Sequence, residues 1–362
     1  MSRMFLKKVK RVVVKVGSGL IANEKFLPSN ARLRRLVEQI SCAQKNGYEV
    51  VLVSSGAIVL GMGEMGVLRR PSELDQLQAF ASIGQALLMK KYNDLFRKSK
   101  SKCSQILLTW DDFHNHERYK NVRQTIKTML SWGVVPIINE NDSVTNDEIK
   151  FGDNDKLSAL VASCVEADLL LILSDVDGLY DMRTPDKKLF REVKEITKEI
   201  ESVAGGSVNK NVSKGGMKSK IDAIKIAVQS KIACVIAHGQ TENVLNRVLA
   251  GENIGTYFSE KEEKLLSHKH WIAFGAKPQG FIVVDDGARK AVLDQGKSLL
   301  LPGIVSWSGH FKKGDVVVVQ DKQGQEIGRG NINYSIIDLH DLTDKKGQRE
   351  AIHRDDLVLT GK

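Results

Sequence analysis

Short apolar runs alternate with amphipathic stretches through the first two-thirds of the chain. Val12–Val16 and Val50–Val53 are dense β-branched runs of strand length. Between them Leu33, Leu36, Val37, Ile40 and Ala43 recur at helical spacing. Ser29 and Asn30 suit an N-cap before this stripe, and Lys45-Asn46-Gly47 closes it with a basic turn and a C-cap glycine. The pattern predicts a βαβ unit with two parallel strands and a right-handed crossover. Further on, Val134–Asn139 predicts a strand and Leu157–Val165 a helix. Leu169–Leu173 predicts a strand apolar enough to be buried on both faces. Met217, Ile221, Ile224 and Val228 form a helical stripe, and Ile232–Ala237 is another strand. Strands alternating with helices make the fold class α/β, an open, mainly parallel sheet sandwiched by helices.

The texture changes beyond residue 262. A charged stretch and Lys277-Pro278 precede short strand patterns at Phe281–Val284, Val316–Val319 and Glu326–Gly328, separated by turns such as Lys313-Gly314-Asp315. The expected division is a first domain over 1–262, a linker over 263–277 and a small β-rich domain over 278–362.

Composition narrows the class without deciding it. With 362 residues, 42% hydrophobic and 27% charged, the chain is neither disordered nor fibrous in character. No charge-free stretch reaches the roughly 18 residues that a membrane helix needs, and Lys15 interrupts the apolar run that a secretory signal would require. A cytosolic protein is expected. The four cysteines contain no C-x-x-C pair, so they are expected to be reduced, buried thiols, with neither a zinc site nor a disulfide framework. A net charge of +10 suits an anionic small substrate, a nucleic acid or simply a basic surface. The scattered aromatic residues form no stacking platform for single strands.

Several glycine patterns invite a nucleotide. Gly17-Ser18-Gly19-Leu20-Ile21-Ala22 fits G-x-G-x-x-A after a strand, and Gly61-Met62-Gly63-Glu64-Met65-Gly66 fits G-x-G-x-x-G. Neither is followed by a carboxylate ending a second strand, so a dinucleotide site is not favoured. Gly296-Lys297-Ser298 lacks the first glycine of a P-loop. What remains is phosphate chemistry of another design. Lys15 sits inside an apolar strand just before Gly17, where an ammonium is costly unless it meets an anion. The alternative is a lysine that snorkels to the surface. Lys214-Gly215-Gly216-Met217-Lys218-Ser219-Lys220 leads into a helix, and glycines before a helix N-terminus bind anions by geometry and dipole. Its plain reading is a flexible basic loop.

Asn139-Glu140-Asn141-Asp142 and Gly152-Asp153-Asn154-Asp155 crowd amides and carboxylates beyond one strand, which suits an ammonium-bearing substrate or the orienting of lysines. A solvated Asx-rich loop is the alternative. Ser54-Ser55-Gly56 and Ser174-Asp175 also follow strands, where open α/β sheets bind ligands. Asp111-Asp112-Phe113-His114-Asn115-His116-Glu117 has metal-ligand residue types but no ligand spacing, and reads as a polar helix start.

Together these segments resemble the amino acid kinase family, in the branch that phosphorylates glutamate, and the likeness runs over essentially the whole chain. It is carried by Val13-Val14-Lys15-Val16-Gly17, Ser55-Gly56-Ala57-Ile58, Ile138 to Asp142, Gly152 to Asp155 with Leu157-Ser158-Ala159-Leu160, and Gly215-Gly216-Met217 with Lys220. Gly287-Ala288 and His353-Arg354-Asp355-Asp356 resemble a PUA domain. The resemblance implies ATP-dependent phosphorylation of the γ-carboxylate of L-glutamate, the first step of proline synthesis. It implies that Lys15 and Lys220 contact the transferring phosphoryl group, with Asp155 orienting them and Asp153 nearby. Ser55, Asp142 and Asn154 would bind glutamate. Gly17, Ser174, Asp175 and the segment Lys214, Gly215, Gly216, Met217, Lys218, Ser219, Lys220 would hold ATP, with Mg²⁺ on its phosphates and no metal site made by the protein.

The same resemblance implies a homodimer or tetramer, proline as feedback inhibitor and coupling to a glutamyl phosphate reductase, with no membrane or nucleic acid as partner. There are departures. Ser174 stands where the family has threonine, and Lys214 and Lys218 stand where smaller residues are expected, which bears on nucleotide affinity. Two other readings stay open: an RNA-binding or RNA-modifying protein acting through the PUA-like part, and a sibling kinase with another carboxylate substrate.

Overall fold

A computed structural model describes residues 8–23, 26–145, 154–181, 183, 187–205, 216–260, 269, 272, 276, 278–341 and 350–359. The chain divides into two compact units, 1–112 with 117–264, and 265–362 with 113–116. Of the expected linker 263–277, residues 269, 272 and 276 alone are described.

The first unit runs β1 (Arg11–Val16), α1 (Ser18–Ile21), α2 (Asn30–Lys45), β2 (Glu49–Ser54), α3 (Ala57–Glu64), α4 (Leu74–Lys98), β3 (Lys102–Leu108), α5 (Trp110–His114), α6 (His116–Ser131) and β4 (Val134–Glu140). It continues with α7 (Asn154–Cys164), β5 (Leu169–Ser174), β6 (Tyr180–Asp181), β7 (Lys188–Leu189), β8 (Glu192–Val193), α8 (Lys198–Gly205), α9 (Met217–Gln229), β9 (Ala233–His238), α10 (Val244–Leu249) and β10 (Thr256–Phe258). The sheet order is β3-β4-β2-β1-β5-β9-β10-β8. From β3 to β9 every pairing is parallel, and β10 joins antiparallel to β9. This is the α/β, mainly parallel sheet that the alternation predicts.

Alternation along the strands builds a layer on each face. Val12, Val14, Val16, Val50 and Leu52 share one core with Leu33, Val37 and Ile40 of α2, Leu88, Tyr92 and Phe96 of α4, and Val244, Leu245 and Val248 of α10. Val13 and Lys15 therefore face the opposite layer. There α7 lies with every residue buried but Lys156. That helix starts three residues before the expected Leu157, so Asn154 and Asp155 form its first turn.

Glycines shape one helix crossing. A Cβ on Gly84 would lie 1.8 Å from Ala57 O and 2.5 Å from Gly61 N, and one on Gly61 would lie 1.9 Å from Phe80 O. Gly61 of the 61–66 pattern thus serves the close approach of α3 and α4, while a Cβ on Gly63 would meet Phe26 O at 2.3 Å. The expectation of four buried thiols is corrected. All four are free, but Cys42 is exposed and Cys103 half-buried, while Cys164 and Cys234 are buried. Burial pushes the Cys103 thiol up to about 11 and, against the opposing pull of Tyr119, the Cys164 thiol up to about 12.

The second unit holds a five-stranded sheet in the order β13-β11-β14-β15-β17, built from β11 (Gly280–Val284), β13 (Ile304–Gly309), β14 (Val316–Gln320), β15 (Glu326–Asn331) and β17 (Leu357–Leu359). Leu299–Leu300 and Glu350–Ile352 pair beside it as β12 and β16. Its own core gathers Ile282, Val284, Phe311, Val317, Val319, Ile327 and Ile352.

Candidate active site

Strands β1, β2, β4, β5 and β9 are mutually parallel, so Val16, Ser54, Glu140, Ser174 and His238 end at one edge of the sheet. The chain moves to one side of β1 for β2, β4 and β3, then to the other side for β5 and β9. Such a reversal of strand order opens a crevice at the strands' carboxyl ends.

Lys15 sits one residue before the end of β1 and is 3% exposed. Its Nζ lies 2.5 Å from Asp155 Oδ1, and Lys220 Nζ lies 3.2 Å from Asp155 Oδ2. The carboxylate comes from the first turn of α7 and is fully buried; Lys220 comes from the first turn of α9 and is 7% exposed. One carboxylate therefore bridges two ammonium groups. Lys218 and Lys220 both lie in the first turn of α9, which has no acidic residue there. Cations oppose the dipole at a helix N-terminus, so the arrangement favours a bound anion.

The backbone around these lysines is open. Gly17, Gly56 and Gly216 are the N-caps of α1, α3 and α9, and none of these helices has a side-chain cap hydrogen bond. By contrast, Asp285 caps the helix Asp286–Leu293 in the second unit, accepting from Ala288 N. At Gly17, Gly19 and Gly216 nothing lies within 4 Å of where a Cβ would stand. N–H groups in such turns are free to approach phosphate oxygens. Arg32 Nη1 donates to Gly19 O at 2.7 Å and braces the first of these turns.

Beside the lysines is a hydrogen-bonded cluster of amides and hydroxyls. Asn154 Nδ2 lies within hydrogen-bond distance of Ser54 O (3.2 Å), Ser55 Oγ (3.0 Å) and Asn139 Oδ1 (2.8 Å). Asn139 Oδ1 also accepts from Glu140 N, and Asn139 Nδ2 donates to Gln85 Oε1 at 2.9 Å. Ser54 Oγ meets the Tyr92 hydroxyl at 2.9 Å. Burial pushes that phenol well above its usual range, against the opposing pull of Ser54, so it stays protonated. Asp142 lies in the turn after β4, where Thr145 Oγ1 donates to Asn141 O at 2.8 Å.

On the other side of β1, Ser174 Oγ donates to Asp175 Oδ1 at 3.0 Å; Ser174 is buried and Asp175 exposed. The loop after them is pinned by Leu179 N donating to Thr256 Oγ1 at 2.8 Å, and a Cβ on Gly178 would lie 2.4 Å from that oxygen. Lys218 is exposed, so this departure from the family reaches toward solvent. Met217 and Ser219 are half-buried, and Ser219 Oγ lies 3.4 Å from Asp155 Oδ2. Gly152, Asp153, Lys214 and Gly215 lie outside the described residues.

The fold thus brings Lys15, Asp155, Lys220 and Ser219 together, and separately Ser55 with Asn154. Sequence reasoning missed Gln85 and Tyr92, which lie in the middle of α4 far from any motif. It also missed His238, which pairs in register with Ser174 at the end of β9. The segment Asp111–Glu117 spans a helix start, as expected: Thr109 N and Oγ1 both donate to Asp112 Oδ2. Among the described residues no cluster of three histidine, cysteine or acidic side chains suits a metal. No described helix is long and apolar enough to cross a membrane.

Residues 10–238 match the amino acid kinase family and residues 280–354 match the PUA domain. The chain is 46% identical to the "Glutamate 5-kinase" of Caldanaerobacter subterraneus subsp. tengcongensis, covering 96% of this chain and 97% of that one. It is 45% identical to the "Glutamate 5-kinase" of Citrifermentans bemidjiense, covering 99% and 100%. Among solved structures, carbamate kinase from Giardia lamblia is a distant likeness, at a TM-score of 0.49 and 20% identity over 70% of this chain and 100% of that one. This chain belongs to the amino acid kinase family, with a PUA domain following the kinase region.

Proposed function

We propose that this chain transfers the γ-phosphoryl group of ATP to the γ-carboxylate of L-glutamate, giving the acyl phosphate that opens proline synthesis. The observation that carries this reading is the sharing of one buried carboxylate by Lys15 and Lys220, next to the Ser55–Asn154 cluster. The region over 1–262 would hold both sites, with 278–362 as the PUA part.

A γ-carboxylate with a pKa near about 4.3 is already ionised at neutral pH. It needs no general base, and the chemistry is to bring one anion up to a polyanion. Lys15 and Lys220 stabilise charge on the transferring group, and Asp155 keeps both ammoniums in place before substrate arrives. Gly17 and Gly216 offer backbone N–H groups to phosphate oxygens, and Ser174 with Asp175 flanks the nucleotide. Ser55 and Asn154 orient the acceptor, and Asp142 meets its α-ammonium. Mg²⁺ bound with the nucleotide would supply neutralisation of phosphate charge, beside that given by Lys15 and Lys220. Both oxygens of Asp155 already face ammonium groups, which argues against a metal ligand there.

The test is hydroxylamine trapping. ATP and L-glutamate should give a hydroxamate and ADP in equal amounts, reduced when proline is added if the feedback site is present. A free acyl phosphate of glutamate cyclises through its own amine, so a reductase is the expected consumer. Hydroxamate formed from a different carboxylate acceptor and not from glutamate would overturn the substrate assignment. ADP-free binding of structured RNA alone would overturn the kinase reading.

A further inference from the structure

Three polar side chains on α4 stand seven residues apart: Gln78, Gln85 and Tyr92. Seven residues are nearly two helical turns, about 10.5 Å, so the three share one stripe. Each is tied to a different part of the acceptor site. Gln78 Nε2 donates to Thr145 O at 3.1 Å. Gln85 Oε1 accepts from Asn139 Nδ2 at 2.9 Å. Tyr92 pairs with Ser54 Oγ at 2.9 Å. Gln78 and Gln85 thus grip both ends of the segment 139–145 that carries Asp142, and Tyr92 grips the strand end that leads to Ser55. Gly84, beside Gln85, is the point where α4 touches the backbone of Ala57 and Gly61, which fixes the stripe's depth.

The bond polarity propagates. The Glu140 backbone N–H can only donate, so Asn139 Oδ1 faces it and Asn154 Nδ2, and Asn139 Nδ2 is held by Gln85 Oε1 on the other side. Asn154 must then present its Nδ2 to Ser55 Oγ. Asn154 Nδ2 carries two protons for three oxygens within reach, Asn139 Oδ1, Ser54 O and Ser55 Oγ, so its place beside Ser55 depends on how Asn139 is held. We propose that the Gln78–Gln85–Tyr92 stripe of α4 sets acceptor recognition, with Gln85 the positioning residue that holds the Asn139 amide and, through it, Asn154 beside Ser55. This rests on the glutamate kinase reading above and names residues behind that site which touch no substrate.

The test compares Gln85→Leu with Gln85→Glu in the full-length chain. Glutamate keeps the accepting oxygen and leucine removes it. Loss of one hydrogen bond in the relay is worth about tenfold in an equilibrium. Gln85→Leu should raise KM for L-glutamate about tenfold, leave KM for ATP within about twofold, and keep a cooperative melt. Gln85→Glu should return KM for L-glutamate toward the parent value. Equal changes in both KM values, no change, or no rescue by Gln85→Glu would overturn the proposal. If the unaltered chain forms no hydroxamate from glutamate, the functional reading fails instead. The relay is then read from the side-chain amide resonances of Asn139 and Asn154, which should move in Gln85→Leu and return in Gln85→Glu; unmoved resonances would overturn it.

Discussion

At the scale of single residues the decisive feature is a buried carboxylate shared by two buried ammonium groups. Isolated buried charges are costly, and a buried pair is often replaceable by apolar residues with little loss of stability. The Lys15–Asp155–Lys220 cluster is therefore better explained by an incoming anion than by folding. Lys15→Met and Lys220→Met should each lower turnover by about 10²-fold or more, as loss of one charge-stabilising donor does elsewhere. In both variants Asp155 keeps one ammonium partner, so the melting temperature should move by only a few degrees. Near-normal turnover in both, measured by ADP release, would remove these lysines from the chemistry. Asp142→Ala should instead raise the L-glutamate requirement and leave that for ATP unchanged. The reverse pattern would place Asp142 on the nucleotide side.

At the scale of elements, the glycines of α3 and α4 give a sharper test than their sequence pattern does. Gly84→Ala would drive a methyl group against the backbone of Ala57 and Gly61, and backbone cannot rotate away. Overpacking of this kind costs about 1–3 kcal/mol, and here it also pushes Gln85 off Asn139. Denaturant unfolding should show that loss together with a raised KM for L-glutamate, while KM for ATP stays put. A raised KM for ATP alone would revive the G-x-G-x-x-G pattern at Gly61 as a phosphate site. The strands that hold the site were legible because β1, β2, β4, β5 and β9 are buried on both faces and read as dense apolar runs. β3 escaped notice because it is the sheet's edge and only half-buried, so Lys102–Leu108 lacks that run. The start of α7 escaped for a different reason. Asn154 and Asp155 are polar yet buried, satisfied by other polar groups brought from distant strands, and no local pattern announces that.

At the scale of the whole molecule, the lysines, the serines and the Asn/Asp segments were readable as separate motifs, but their assembly depends on the parallel sheet. Lys15, Asp155 and Lys220 meet, as do Ser54, Ser55, Asn139 and Asn154, and the turns at 17, 142 and 174 follow the same sheet edge, because five parallel strands end there. Gln78, Gln85 and Tyr92 gave no signal beyond their spacing, since a glutamine in a long helix is chemically ordinary until its partners are known. This assembly makes a pattern that hydrogen exchange can read. A non-hydrolysable ATP analogue with L-glutamate should slow exchange in four separated stretches: 17–22, 55–60, 139–145 and 174–180. All four follow the ends of strands in the first unit. Strands β11, β14 and β15 have a core of their own and contribute none of the candidate residues, so their exchange should be unchanged. Ligand protects the backbone where it binds and where it suppresses local opening. On the proposed function, L-glutamate alone should protect the stretches at 55–60 and 139–145, and the nucleotide analogue alone those at 17–22 and 174–180, because β2 and β4 lie on one side of β1 and β5 on the other. Protection of all four by either ligand singly would mean that the crevice closes as one body, and protection confined to the second unit would move the binding site off the sheet edge altogether.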